Sequence, residues 1–107
     1  MANATRVADQ ARGYFVGTYA GTTAAQNIHI GFKPAYIRAV NITDGDTEWV
    51  WYVGDLENVV SLIATPATVA AVITQVDNGT VLGFALPASN STVNENAKTY
   101  LILAFPE

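Results

Sequence analysis

From residue 13 onward, the chain consists of short runs of β-branched and aromatic residues separated by Gly, Pro, Asn and Asp. Segment 27–32 places apolar residues at every second position and His29 on the other face, which is the period of a half-buried strand. Segments 35–43 and 99–105 are apolar on both faces instead. Such runs are typical of central strands with something packed on each side, so we expect both faces of these two strands to be covered.

Two dipeptides predict tight turns between strands. Asp44-Gly45 joins segment 35–43 to a strand at 48–53, and Asn78-Gly79 joins a strand at 69–76 to one at 80–86. With the remaining runs, the chain contains about eight short strands at regular spacing. This pattern predicts an all-β fold, a single-domain antiparallel β-sandwich or barrel.

The length and the first twelve residues define the domain organisation. A chain of 107 residues forms one domain, because separate cores arise only in much longer chains. Residues 1–12 contain Arg6 and Arg12 among small residues and no aromatic anchor, so they fit either a frayed terminus or an arm that orders against a neighbour. We therefore divide the chain into a short N-terminal arm, 1–12, and a β-sandwich domain, 13–107.

The composition is unusually poor in charge. Only 13% of residues are charged and 50% are hydrophobic, whereas an average soluble domain has about 25% charged residues. The net charge of −4 and the lack of a basic run argue against nucleic acid as a partner. Polar residues and Pro66 interrupt the uncharged stretches, so we expect no membrane-spanning helix. The apolar excess instead predicts a protein that is partly covered by a partner.

Few side chains are suited to catalysis or to metal binding. The chain has no Cys and a single His, His29, and no Ser lies in a Gly-x-Ser-x-Gly turn. The acidic cluster Asp44, Asp46 and Glu48 lacks the EF-hand spacing, which leaves a solvated turn or a calcium site of another type. We therefore predict no enzyme, no cofactor and no resident metal.

The aromatic residues of the second hairpin strand allow three interpretations. Trp49 and Trp51 share one face of this strand, and Val50 and Tyr52 share the other. Because both faces are apolar, these side chains fit a sandwich core, a subunit interface or a sugar-stacking platform, and Tyr14 fits a core or an interface. A domain alone would bury one face and expose the other, which again indicates a partner.

Four Asn-x-Thr sequons begin at Asn3, Asn41, Asn78 and Asn90. The first residues of the chain do not show a charged segment followed by an apolar core, so we expect no signal peptide. We therefore interpret the sequons as strand and turn chemistry rather than as glycan sites.

About half of the chain carries a resemblance to a known family. The residues concerned are 31–45 followed by Glu48-Trp49, then 83–86, 93–96 and 100–105. These segments resemble a recurring pattern in small virion proteins of tailed bacteriophages, most of all capsid decoration (cement) proteins. The Gly-Phe-x-Pro-x-Tyr element at 31–36 is also similar to modules of phage tail fibres and receptor-binding proteins.

The resemblance implies a non-enzymatic structural protein on the outer surface of the phage head, present in the host cytoplasm during assembly. It would bind the major capsid protein and stabilise the capsid by bridging its subunits, as a homo-oligomer for which head symmetry favours a trimer. Arg6 and Arg12 are the candidates for capsid contact, and Tyr14, Trp49, Trp51 and Tyr52 for core or oligomer interface. The alternative is a tail-fibre or baseplate tip domain that binds host glycans; a small hydrolase built on His29 is a third possibility.

Overall fold

The fold is described from a computed structural model of the chain. The description covers residues 5–6, 13–45, 47–53, 58–61, 67–88 and 90–107, and only the backbone at 5–6, 58–61 and 67–72. All regular structure in these residues is β, which confirms the predicted fold class. The strands are β1 (Thr5–Arg6), β2 (Phe15–Ala20), β3 (Gln26–His29), β4 (Pro34–Asn41), β5 (Glu48–Tyr52), β6 (Asn58–Ser61), β7 (Ala67–Val72), β8 (Thr74–Asp77), β9 (Leu82–Leu86) and β10 (Thr99–Pro106).

These strands form two antiparallel sheets. The large sheet has seven strands in the order β1-β2-β10-β4-β5-β6-β7, and the small sheet has three in the order β3-β9-β8. Strand β10 lies between β2 and β4, so the last strand of the chain is central, as its two apolar faces predicted. The strand order follows from pairing between residues that are far apart in sequence.

The hydrophobic core lies between the two sheets. The large sheet contributes Tyr19, Trp49 and Ile102, which are almost fully buried, and the small sheet contributes Ile28 and Phe84. On each of the four strands β2, β10, β4 and β5, every second residue points into this core. The arrangement is a small β-sandwich in which one face of the large sheet is packed and the other points outward.

Both predicted hairpins are present. Strands β4 and β5 pair antiparallel across the Asp44-Gly45 turn, and β8 pairs with β9 across Asn78-Gly79. Gly45 and Gly79 have φ values of 71° and 83°, the left-handed region that glycine adopts without a Cβ clash. Pro34 is the first residue of β4. Proline is tolerated there because its missing N–H does not interrupt the hydrogen bonds in the centre of the sheet.

Two details differ from the prediction. The run 69–76 is not one strand, because the chain leaves the large sheet at the end of β7 and enters the small sheet at β8. Ile73, which lies between them, is buried in the core, so a continuous apolar run serves two sheets. A two-residue strand inside the predicted arm also pairs with β2, where Thr5 faces Thr18 and Arg6 faces Gly17.

Three of the four sequon asparagines hold turns. The Oδ1 atoms of Asn41, Asn78 and Asn90 each accept hydrogen bonds from the backbone N–H groups two and three residues later, at 2.8 to 3.1 Å. This is the Asx-turn chemistry for which Asn is favoured in loops. The turn interpretation is confirmed at these positions, and Asn3 lies outside the described residues.

Tyr19 makes the stability of the fold depend on pH in the alkaline range. Its ring stacks on Tyr100 at 4.8 Å between centroids, and its hydroxyl donates to the Val93 carbonyl at 2.7 Å. Burial, with a smaller contribution from Tyr100, raises the pKa of Tyr19 well above its usual value, because the phenolate would lose its hydration. Since the unfolded chain releases this proton near pH 10 and the folded chain retains it, stability falls as the pH rises above about 10.

Above about pH 10, Tyr19 should cost the wild type up to about 1.4 kcal/mol of stability per pH unit. We expect the Tyr19→Phe variant to lack this part of the loss. The variant also costs about 1–3 kcal/mol at neutral pH, because the Val93 carbonyl loses its partner. Urea unfolding of the variant and of the wild type from neutral to alkaline pH measures both effects. The two effects separate in the same data, because the lost hydrogen bond costs the same at every pH below about 10, whereas the titration of Tyr19 acts only above it. Parallel profiles for Tyr19→Phe and wild type would contradict this assignment.

Candidate functional site

The outward side of the large sheet carries three rows of side chains across β2, β10, β4 and β5. The cross-strand register places Val16, Leu103, Arg38 and Val50 in one row and Thr18, Leu101, Val40 and Glu48 in the next. The third row contains Phe105, Tyr36 and Tyr52, and the ring of Tyr14 packs on Phe105. We call this surface the outer face.

The outer face is largely apolar, and Val50 on β5 is the one side chain of its three rows that is buried. Leu101, Phe105 and Tyr52 are 40%, 43% and 45% exposed, and Val16, Val40 and Leu103 are half-buried. The sequence predicted cover on both sides of β4 and β10, but the described residues supply it only on the core side. Apolar residues scattered singly are normal on a surface, whereas a contiguous apolar sheet face marks an interaction site.

A groove runs across the middle of the outer face. It encloses about 250 Å³, and its lining is almost entirely apolar. The side chains that define it are Val16, Val40, Leu101 and Leu103, with Arg38 at its border. We call it the apolar groove. It lies between two neighbouring rows, which are about 6.8 Å apart along the strands, so it can receive a single row of side chains from another surface.

Aromatic rings form a ridge beside this groove. Tyr14, Phe105, Tyr36 and Tyr52 follow one another with centroid separations of 6.5, 5.8 and 4.9 Å. Neighbouring rings are tilted by 42° to 56°, so they pack edge against face and do not form a flat platform. We call these four residues the aromatic row.

One ion pair crosses the outer face. The Arg38 Nε donates to Glu48 Oε2, and this contact raises the pKa of the Arg38 guanidinium. The guanidinium is therefore charged at every relevant pH and its charge is matched within the face. The three rows contain no other ionisable group except the tyrosines, so the outer face is electrically neutral although the chain carries −4.

The structure separates the predicted aromatic residues into two groups. Trp49 and Trp51 point into the core and are 0% and 3% exposed, which makes them core residues and excludes them from an exposed sugar platform. Tyr14 and Tyr52 lie in the aromatic row of the outer face.

The two predicted capsid contacts cannot be placed by their side chains. Arg12 lies outside the described residues, and for Arg6 only the backbone pairing with Gly17 in β2 is described. The assignment of these arginines to capsid contact therefore stays a prediction.

The polar side chains considered for chemistry are engaged in local contacts. His29 is half-buried, and its Nδ1 accepts from the Leu82 backbone N–H at 3.0 Å. Asp44 pairs with Lys98 at 3.2 Å and Glu48 with Arg38, while Asp46 lies outside the described residues. Within the described ranges, no three acidic or His side chains come close enough to hold a metal ion.

Comparisons with known proteins do not identify a relative. No known protein family matches the chain, and neither a curated protein nor a solved structure is significantly similar to it. The described part of the chain also contains no helix of the length and apolarity needed to cross a membrane. The outer face is therefore the feature of the protein that bears on its function.

Proposed function

We propose that this protein is a non-enzymatic structural protein of a phage virion, which decorates the head and stabilises it by bridging major capsid subunits. The observation that supports this role best is the outer face, a neutral apolar sheet surface on a chain with little charge elsewhere. A protein whose main surface feature is adhesive acts through association. We choose the phage head as the binding partner because segments 31–45 and 100–105 resemble decoration proteins.

The arm supplies the second contact that a bridging protein needs. The backbone at Thr5–Arg6 forms the edge strand β1 of the large sheet and pairs with β2. The arm carries Arg6 and Arg12, two of the five cationic residues of the chain. We assign the arm to the capsid and the outer face to association between copies.

Deletion of residues 2–12 should weaken loading onto purified heads and leave the domain folded, because every core residue that the structure describes lies in 13–107. Occupancy of heads is measured by sedimentation and gel densitometry, and folding by circular dichroism. The double variant Arg6→Gln/Arg12→Gln keeps the length of the arm and removes its two arginine charges. It therefore distinguishes a contribution of the charges to loading from a contribution of the backbone. Unchanged occupancy after deletion would show that the arm does not contact the capsid.

The location of the protein tests the head assignment directly. Antibody labelling of virions in cryo-electron micrographs should place the protein over the outer surface of the head. Label confined to the tail, or absent from particles, would contradict decoration of the capsid.

The second candidate is a tail-fibre or baseplate tip domain that binds host glycans, and the aromatic row favours it. The exposed rings of Tyr52 and Phe105, with Arg38 in the adjoining row, offer both stacking surfaces and hydrogen-bonding groups to a sugar. Such a site would use Tyr36 and Tyr52, since both tryptophans are buried. A glycan array distinguishes the candidates: specific binding that Tyr52→Ala abolishes supports the tip domain, and no binding supports decoration.

A further inference from the structure

We propose that the outer face binds the outer face of a second copy across a two-fold axis, with the aromatic row of each copy seated in the apolar groove of the other. The inference rests on the proposed function only in its claim of self-association. It specifies the surface, the symmetry and the register of that contact.

The geometry of the outer face is self-complementary. The rows lie about 6.8 Å apart along the strands, so the aromatic row runs roughly 10 Å from the middle of the apolar groove and parallel to it. A two-fold axis in the plane of contact, parallel to the rows and midway between ridge and groove, exchanges the two. Phe105 of each copy then lies over the groove between Leu101 and Leu103 of the other. Both contacts of such an isologous interface are identical.

The available area favours a pair. Four strands and three rows give a face of roughly 20 by 20 Å, on the order of 400 Å² in projection, and the large sheet continues into β6 and β7. This area is below the roughly 800 Å² per partner of a standard complex, so one contact needs the whole face. A trimer would divide the same face between two neighbours and leave each contact in the size range of crystal packing. The area therefore outweighs the preference for a trimer drawn from head symmetry.

Charge also permits this contact. Two copies with a net charge of −4 repel each other at most surfaces, but the outer face is neutral because Arg38 and Glu48 neutralise each other. Interfaces are enriched in Tyr, Phe and Arg and depleted of unpaired acidic residues at their centre, which describes this face. In the proposed register, Arg38 of each copy lies beside Arg38 of the other near the axis, and each stays paired with its own Glu48, so the contact leaves no unpaired charge.

The first experiment measures the mass of the purified full chain by light scattering over a range of concentrations. We expect twice the 11.4 kDa of one chain. Leu101→Lys in the groove and Tyr52→Lys in the aromatic row should raise the dissociation constant about 30-fold or more, as for loss of a central contact. Val76→Lys, at a half-buried valine of β8 on the other side of the sandwich, changes the charge equally and should remain a dimer.

A charge exchange tests the register of the contact. Leu101→Lys and Phe105→Glu are each expected to be monomeric, and both replace residues that are at least 40% exposed, so the fold is kept. When they are mixed, the introduced carboxylate of one chain lies beside the introduced ammonium of the other, and the second ridge and groove remain native. Native mass spectrometry should show a heterodimer in the mixture and no homodimer of either variant.

Each other outcome overturns the inference. A monomeric wild type at all concentrations excludes self-association, and a trimer excludes the two-fold contact. Dissociation by Val76→Lys but not by Leu101→Lys assigns the interface to the other side of the sandwich. A mixture that stays monomeric excludes the proposed register. Since labelling of virions is measured separately, a failure here leaves the location on the head to be decided by its own experiment.

Discussion

Gly83→Ala should destabilise the protein more than any other single methyl addition in the small sheet. A Cβ at this position would lie 1.9 Å from the Ile28 carbonyl oxygen and 3.2 Å from the Ile30 backbone nitrogen, and both are main-chain atoms that cannot rotate away. Strands β3 and β9 are held at this distance by hydrogen bonds from the N–H groups of Ile30 and Gly31 to the Leu82 carbonyl, each 3.0 Å. We expect a cost of about 4 kcal/mol or more, from the clash and the lost strand pairing.

Gly79→Ala, in the turn of the adjoining hairpin, is the matched control for Gly83→Ala. Nothing lies within 4 Å of a Cβ at this position, and only its φ of 83° opposes a side chain. Its cost should be about 1–2 kcal/mol. Urea unfolding of both variants measures the difference, and equal costs would show that β3 and β9 do not approach as closely as described.

Asn94→Asp should produce the second large effect, because a single atom changes at a fully buried amide. The Asn94 Oδ1 accepts from the Thr22 backbone N–H at 2.9 Å and from Gln26 Nε2 at 2.8 Å. Its Nδ2 donates to the carbonyls of Ala24 and Pro87, both at 2.9 Å. In the variant, a carboxylate oxygen faces these two carbonyl oxygens, so we expect a loss of about 3–5 kcal/mol at neutral pH.

The pH dependence of Asn94→Asp follows from the same contacts. Burial and the two carbonyls raise the pKa of the introduced carboxyl in the folded state above the unfolded value near 4. Stability relative to wild type is therefore greatest below about pH 4 and is lost as the pH rises through the folded-state pKa. Unfolding of variant and wild type at acidic and neutral pH measures the difference between them.

Asn78→Asp is the control for Asn94→Asp. Asn78 is exposed, its Oδ1 accepts from the N–H groups of Thr80 and Val81, and a carboxylate makes the same contacts. This variant should cost little at neutral pH. A similar cost for both variants would contradict the central role of the Asn94 amide.

Local sequence patterns predicted much of the fold. Alternation placed Trp49 and Trp51 on one face of β5 and Tyr52 on the other, because side chains in a strand alternate regardless of the rest of the fold. Asp44-Gly45 and Asn78-Gly79 predicted their hairpins, since a short turn demands residues that tolerate a positive φ. These features depend only on neighbours in the chain.

The features that the sequence did not reveal depend on distant residues. The order β2-β10-β4 joins residues 15–20 to 99–106, and no local period encodes that pairing. The separation of β7 from β8 at Ile73 was missed because an apolar run has the same pattern in one sheet or two. Asn94 was missed as well, since a buried asparagine and a loop asparagine look alike until their partners are known.

The candidate site was predicted only in part. The sequence indicated an apolar surface in need of a partner, from the low charge and the doubly apolar strands 35–43 and 99–105. It did not show that Phe105, Tyr36 and Tyr52 form a row beside a groove, because this row joins three strands in one register. The arrangement of the outer face is therefore a result of tertiary pairing.

Hydroxyl-radical footprinting of the assembled protein reports whether the outer face is covered in the working state. We expect Tyr52 and Phe105 to be oxidised much more slowly in assembled wild type than in the Leu101→Lys variant, because the partner excludes solvent from the aromatic row. His29, half-buried in the small sheet, should react equally in both. Equal oxidation of Tyr52 and Phe105 in the two samples would show that the outer face stays open to solvent, and would contradict the account.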